Sequence, residues 1–272
     1  MVRLTSRQNP RVKYLRRLHR RSFREQTGRF LVEGVKFVEE ALKAGWPVEA
    51  IVYTERLGQD ERGAALLDAA DRKGIPLWET TEAIFKDVAT TPSPQGVLAV
   101  AAVRTFTPEE IVARPDPLVV VVDGLQDPGN LGTIIRTASA AAATGVFLLP
   151  GTVDVYHPRT VRASAGSIFH LPVISVPDGE AWSSLLQQRG ISIFATDVRG
   201  ETLLYDCDLT GPVAVILGGE AAGTRPALLA GADFRVRIPM PGGTESLNAA
   251  IAGAIFLFER VRQRLKTSLC SG

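Results

Sequence analysis

The chain has 272 residues, is 45% hydrophobic and 22% charged, and carries a formal net charge of +2. That composition excludes wholesale disorder and collagen-like repeats, and the length allows about two domains with sizeable cores. Two cysteines (Cys207, Cys270) and three histidines (His19, His157, His170) at no metal-ligand spacing exclude a disulfide scaffold and a structural metal.

No apolar run approaches the ~20 residues of a membrane-spanning helix. No secretory signal is expected, because no apolar stretch follows the basic N-terminus. Sparse cysteine fits a soluble protein of a reducing cytoplasm.

Residues 1–30 hold ten Lys/Arg against one acid, Glu25, a balance of +9. The rest holds 21 basic against 28 acidic residues, a balance of −7. A basic block on an acidic body points to a polyanionic partner. The block is mostly Arg, whose planar fork suits phosphate and stacks on bases. Asn9-Pro10 reads as an N-cap and a first-turn proline. Val12, Leu15 and Leu18 then form one apolar stripe on a basic helix. Arg11, Lys13, Arg16, Arg17 and Arg20 are its candidate RNA contacts. The plainer reading is a solvated surface helix. A membrane-surface helix is disfavoured by the narrow apolar face, which lacks Trp.

Further on, strands are expected at 30–33, 48–53, 75–78 and 97–103, with helices at 35–44, 61–73 and 81–90. The alternation predicts a small α/β domain over residues 1–106. Thr105–Pro117 carries Pro108, Pro115 and Pro117, and residues 107–117 are expected to be a stiff linker. Residues 118–272 form the second domain. Its strands are expected at 118–123, 146–149, 173–176, 191–196, 213–217 and 234–238. Helices fall at 130–143, 158–168, 181–189, 226–230 and 247–265. Buried β-branched runs between helices predict a mainly parallel sheet covered on both faces, with its ligand at the carboxyl ends of the strands.

Three segments past strand ends carry candidate chemistry. The first is Asp123-Gly-Leu-Gln-Asp-Pro-Gly-Asn130-Leu-Gly-Thr-Ile-Ile-Arg136. Gly, Pro and Asn bend such a loop and let its amides face a ligand. Asn130 can also cap the next helix, its plainer reading, and Arg136 reads equally as an exposed or ion-paired arginine. The second is Leu217-Gly218-Gly219-Glu220-Ala-Ala-Gly223-Thr-Arg225. It does not match the phosphate-binding G-x-x-x-x-G-K-[ST], and the first βα turn lacks G-x-G-x-x-G, which disfavours a dehydrogenase. The third is Ile238-Pro-Met240-Pro-Gly-Gly-Thr-Glu-Ser246-Leu247-Asn248. Here Ser246 reads plainly as an N-cap and Asn248 as a first-turn residue.

In this order and spacing the three segments resemble the SpoU/TrmH branch of the SPOUT superfamily, S-adenosylmethionine-dependent RNA ribose 2'-O-methyltransferases. The likeness covers about residues 118–265. It rests on Asn130…Arg136, Gly218-x-Glu220-x-x-Gly223 and Ile238-x-Met240…Ser246-Leu247-Asn248. Arg162-Ala-Ser-Ala-Gly-Ser167 also looks like the family and adds Arg162 to the expected RNA contacts. Residues 1–106 resemble, more loosely, its small RNA substrate-binding domain, through Phe30-Leu-Val-Glu-Gly34 and the basic lead-in.

The resemblance implies a deep trefoil knot in an α/β domain, S-adenosyl-L-methionine as cofactor, and a homodimer with each site near the subunit interface. It implies Leu217, Gly218, Gly219, Ile238, Met240 and Leu247 as cofactor contacts. Arg136 would activate the ribose hydroxyl, with Asn130, Glu220, Ser246 and Asn248 positioning Arg136 and the ribose. Ribosomal RNA is favoured over transfer RNA. The alternatives are a tRNA-directed 2'-O-methyltransferase and a catalytically inactive RNA-binding or ribosome-assembly protein of the same fold.

Overall fold

The computed structural model describes residues 2–177, 181–220 and 223–270. By its internal contacts the chain divides into two compact units. One holds Met1–Arg104 and Asp154–Phe169, the other Thr105–Val153 and His170–Gly272.

The first unit runs β1 (Val2–Leu4), α1 (Pro10–Arg17), α2 (Arg21–Thr27), β2 (Arg29–Glu33), α3 (Val35–Lys43) and β3 (Val48–Thr54). It continues through α4 (Glu55–Gly58), α5 (Glu61–Arg72), β4 (Leu77–Thr80), α6 (Glu82–Val88) and β5 (Val97–Ala102). Its five-stranded sheet has the order β1-β4-β3-β5-β2. β1, β4 and β3 are parallel, while β5 is antiparallel to both its neighbours. The apolar β5 therefore lies inside the sheet, between β3 and β2.

In α1, Asn9 caps the helix by accepting from the Arg11 amide, and Pro10 sits in the first turn. Val12, Leu15 and Leu18 are fully buried. The expected stripe is thus the inner face of a basic helix. β4 begins two residues later than expected, because pairing with β3 starts at Leu77 and with β1 at Trp78.

The second unit starts with α7 (Pro108–Val112), inside the segment expected to be a linker. Pro108 opens that helix instead of blocking structure, because a first-turn proline has no amide to lose. Thr107 and Glu110 form a reciprocal capping box, and Ile111 and Val112 join the core. Next come β6 (Leu118–Asp123), α8 (Pro128–Ala140), β7 (Gly145–Leu148), α9 (Pro158–Ala163, in the first unit by its contacts) and β8 (Val173–Ser175). Then follow α10 (Ala181–Gln188), β9 (Ser192–Thr196), β10 (Thr202–Leu203), β11 (Val213–Gly218), α11 (Pro226–Gly231), β12 (Phe234–Arg237) and α12 (Ala249–Cys270). The seven-stranded sheet has the order β10-β12-β9-β11-β6-β7-β8, and every pairing is parallel. β6 and β11 lie in its middle and are buried almost throughout.

Asp154–Phe169 leaves the second unit in sequence but is built into the first. Arg24, itself buried, bonds the Asp154 carboxylate through Nε at 2.9 Å and Nη2 at 2.5 Å. Its Nη1 donates to the carbonyls of Leu18 and His19 at 2.8 Å each. Tyr156 packs on Phe30 with ring centroids 4.4 Å apart, and Phe169 on Trp46 at 5.4 Å. Burial, reinforced by Asp154, pushes the Tyr156 phenol far above its ordinary value. α9 is shorter than expected: Ser164 Oγ bonds the Val161 carbonyl, and Ala165 and Gly166 turn to positive φ before a 3-10 turn over Ser167–Phe169.

Candidate active site

The central strands of the parallel sheet end side by side. Asp123 closes β6 opposite Gly218, the end of β11. Past β11 the chain doubles back, with Gly223 N donating to Gly219 O at 3.0 Å. A Cβ on Gly218 would lie 2.1 Å from Gly223 C and Thr224 N, and one on Gly219 would lie 2.9 Å from Gly124 O. Real side chains do not fit at such distances, so both positions require glycine. Ala221 and Ala222 of this segment lie outside the described residues.

Asp127, not Asn130, caps α8, and its Oδ1 accepts from the Asn130 amide at 2.8 Å. The Asn130 side chain is thereby left to join two distant segments. Its Nδ2 donates to Glu220 Oε1 at 2.7 Å, and its Oδ1 accepts from Asn248 Nδ2 at 3.1 Å. Asn248 Oδ1 accepts from the amides of Ala250 at 2.9 Å and Ile251 at 3.3 Å, at the start of α12. Asn248 therefore does the capping expected of Ser246. Because those amides can only donate, the orientation of both asparagines is fixed in turn, and one carboxylate oxygen of Glu220 receives the last donor.

Beside this chain of bonds lies a cavity of about 380 Å³. Gly218, Gly219, Glu220, Ile238, Met240, Ser246 and Leu247 all line it. Leu217 does not. It is buried, and a Cβ on Gly253 of α12 would meet its Cδ1 at 2.6 Å, so it packs beneath the helix.

Among the residues of this wall that sequence reasoning missed are Thr196, Asp197 and Thr224. Thr224 Oγ1 donates to the Thr196 carbonyl at 3.0 Å. Asp197 is buried enough to raise its carboxyl, but the Arg199 amide and the Arg235 guanidinium outweigh burial and hold it below the ordinary carboxylate range. Polar residues at the end of an expected strand were the available signal.

Arg136 stands exposed on α8. No hydrogen bond or ion pair engages it among the described residues. The structure thus joins Asn130, Glu220 and Asn248 by hydrogen bonds, places Glu220 and Ser246 on the cavity wall, and leaves Arg136 outside the bonded cluster.

In the first unit, Arg11 lies over the Trp78 ring at 5.0 Å and Arg17 over Phe23 at 3.9 Å. Arg16 is ion-paired with Asp87 at 2.8 Å, and Lys13 and Arg20 are exposed. Arg162 lies in the last turn of α9 and belongs to the same unit. Among the described residues no His/Cys/Asp/Glu cluster could hold a metal ion, and no helix is long and apolar enough to cross a membrane.

Residues 117–258 match the SpoU rRNA methylase family, and residues 9–99 match the MRM3-like substrate binding domain. One relative is the 23S rRNA (uridine(2479)-2'-O)-methyltransferase of Streptomyces viridochromogenes, 34% identical over 97% of this chain and 93% of that protein. Another is the 23S rRNA (guanosine(2553)-2'-O)-methyltransferase RlmP of Bacillus subtilis, 35% identical over 95% of this chain and 98% of that protein. The solved structure of an AdoMet-bound rRNA methyltransferase from Sinorhizobium meliloti matches with a TM-score of 0.86 at 33% identity, covering 96% of this chain and 97% of that one. The chain belongs to the SpoU rRNA methylase family.

Proposed function

We propose that this protein transfers a methyl group from S-adenosyl-L-methionine to a ribose 2'-hydroxyl of ribosomal RNA. The observation that carries the reading is the cavity at the carboxyl ends of the parallel strands, lined by the second and third segments and bordered by the Glu220–Asn130–Asn248 chain. Family membership and the names of the relatives supply the reaction and the RNA class.

The cavity suits the cofactor. Its volume lies within the range of small-molecule sites, roughly 300–1,000 Å³. Gly218 and Gly219 leave backbone groups open along it, while Ile238, Met240 and Leu247 supply apolar surface for an adenine ring. When bound, the cofactor supplies an electrophilic methyl group on a sulfonium. The trefoil knot implied by the resemblance is part of this proposal.

The protein's task is orientation and charge. The ribose hydroxyl must lose a proton as it attacks. A guanidinium, with pKa above ~12, does not accept one. Arg136 instead binds the adjacent phosphate and stabilises the developing alkoxide, and a phosphate or water takes the proton. Asn130, Glu220, Ser246 and Asn248 position the ribose.

Residues 1–106 bind the RNA, using Arg11, Lys13, Arg16, Arg17 and Arg20, with Arg162 on the segment that packs among them. Residues 118–272 carry the chemistry. The protein acts in the cytoplasm as a homodimer through the second unit. On α12, Ile251, Phe258 and Leu265 recur at heptad spacing and are 53%, 49% and 60% exposed, an apolar stripe suited to a second copy. Incubation with tritiated S-adenosylmethionine and separated ribosomal and transfer RNA tests the reading. Label is expected in ribosomal RNA; label confined to transfer RNA contradicts the substrate class.

A further inference from the structure

Asp123 is a buried carboxylate that the reaction above does not use. It is 2% exposed and sits at the end of the central strand β6, in register with Gly218. Its two oxygens are divided. Oδ2 accepts from the Arg225 backbone amide at 2.9 Å, and Oδ1 accepts from Arg225 Nε at 2.7 Å. The neighbouring Thr224 is tied to the Thr196 carbonyl at the end of β9. The downstream end of the Gly218–Arg225 segment is therefore fastened on both sides of β11, to β6 through Asp123 and to β9 through Thr224.

That segment carries Gly218, Gly219 and Glu220 along the cavity wall. Its upstream end is continuous with β11, and its fold-back leaves no space for any side chain at Gly218. Its downstream end is held by the Thr224 bond and by the Asp123–Arg225 pair together. Because the carboxylate is buried and the arginine is only partly so, the pair is a charge-assisted, directional contact and not a screened surface pair.

We infer that Asp123 is a positioning residue: through Arg225 it holds the cofactor-facing loop in its binding geometry. The inference rests on the cofactor reading of the cavity. Its role is indirect, since Asp123 does not line the cavity and acts through the loop.

The test is S-adenosylmethionine binding by calorimetry on the full-length protein, with melting curves and steady-state kinetics. Arg225→Ala is expected to weaken cofactor binding about tenfold, the size of one lost hydrogen bond to a charged group. Arg225→Lys retains a cation and the backbone amide, and recovers most of that loss. The KM for S-adenosylmethionine rises with the dissociation constant while the KM for RNA stays unchanged. A merely structural role lowers the folded fraction, reducing apparent kcat with both KM values intact, and that result overturns the inference. Asp123→Asn, which keeps the shape and one acceptor, gives the same pattern independently if Arg225→Ala does not fold. Folded variants that bind the cofactor as the unaltered protein does overturn the inference alone. An unaltered protein that binds no S-adenosylmethionine overturns the cofactor reading and the inference with it.

Discussion

Asn130 gains its place in the site because another residue takes over capping. Asn and Asp compete for helix N-termini on nearly equal terms, so the choice between Asp127 and Asn130 was not legible locally. Glu220 and Asn248, which decide what the Asn130 side chain does, lie 90 and 118 residues away. The residue types of the site were readable because three segments matched a known pattern in order. Their mutual bonding was not, since it depends on strand order. Arg136 is the residue whose role is most open to a direct challenge. If its planar fork spans a phosphate and the forming alkoxide, Arg136→Lys keeps the charge but loses bidentate geometry. Methyl transfer by that variant is expected to fall about 100-fold, as when one oxyanion donor is removed. A near-normal rate contradicts the role.

Helices and strands in the second unit were legible because a buried parallel sheet writes itself as unbroken apolar runs such as Leu118–Val122. The proline-rich stretch before it was not, because proline at a first helical turn reads the same as proline in a linker. β1 escaped notice for a different reason: three residues pair with a strand more than seventy positions away. α2 has one buried apolar side chain, Phe23, beside the buried Arg24, and so no period to detect. Two tests belong to this scale. Gly218→Ala drives a Cβ into the backbone of Gly223 and Thr224, so cofactor binding is expected to be lost while the sheet still folds. Calorimetry with a circular dichroism spectrum checks both halves.

His157 gives a pH test of α9. Its Nδ1 accepts from the Arg159 amide as the helix cap, which requires an unprotonated ring nitrogen. Burial first, then the Arg24 charge, lowers its pKa below the ordinary histidine value, against the opposing pull of Asp154. The folded state thus binds its proton less readily than the unfolded state. The stability involved is present above the unfolded pKa and is lost as pH falls through the lowered folded value. Urea denaturation should show stability falling from about pH 6.5 downward. His157→Asn, which also caps, flattens that slope. An unchanged slope rules out this role for His157.

At the scale of the whole molecule, charge asymmetry was the most legible property and also the least specific. Ten basic residues in the first thirty announced a polyanion partner. The structure divides them, burying Arg24 in an ion pair with Asp154 and leaving Lys13 and Arg20 exposed. What sequence could not indicate is that Asp154–Phe169 packs with the first unit, since periodicity says nothing about which core a segment joins. If the exposed basic face holds RNA phosphates, changing Lys13, Arg17 and Arg20 together to Ala removes up to three contacts. The slope of log affinity against log salt should then flatten by about two units. An unchanged slope contradicts the assignment of this face.

The central claim is methyl transfer to a ribose 2'-oxygen of ribosomal RNA, and the chemistry of RNA itself supplies the decisive readout. A 2'-O-methylated ribose cannot attack its own 3'-phosphate, so alkali leaves that linkage intact. After incubation with tritiated S-adenosylmethionine, ribosomal RNA should yield its label in an alkali-resistant dinucleotide. Label released in mononucleotides by alkali would mean base methylation and would contradict the account.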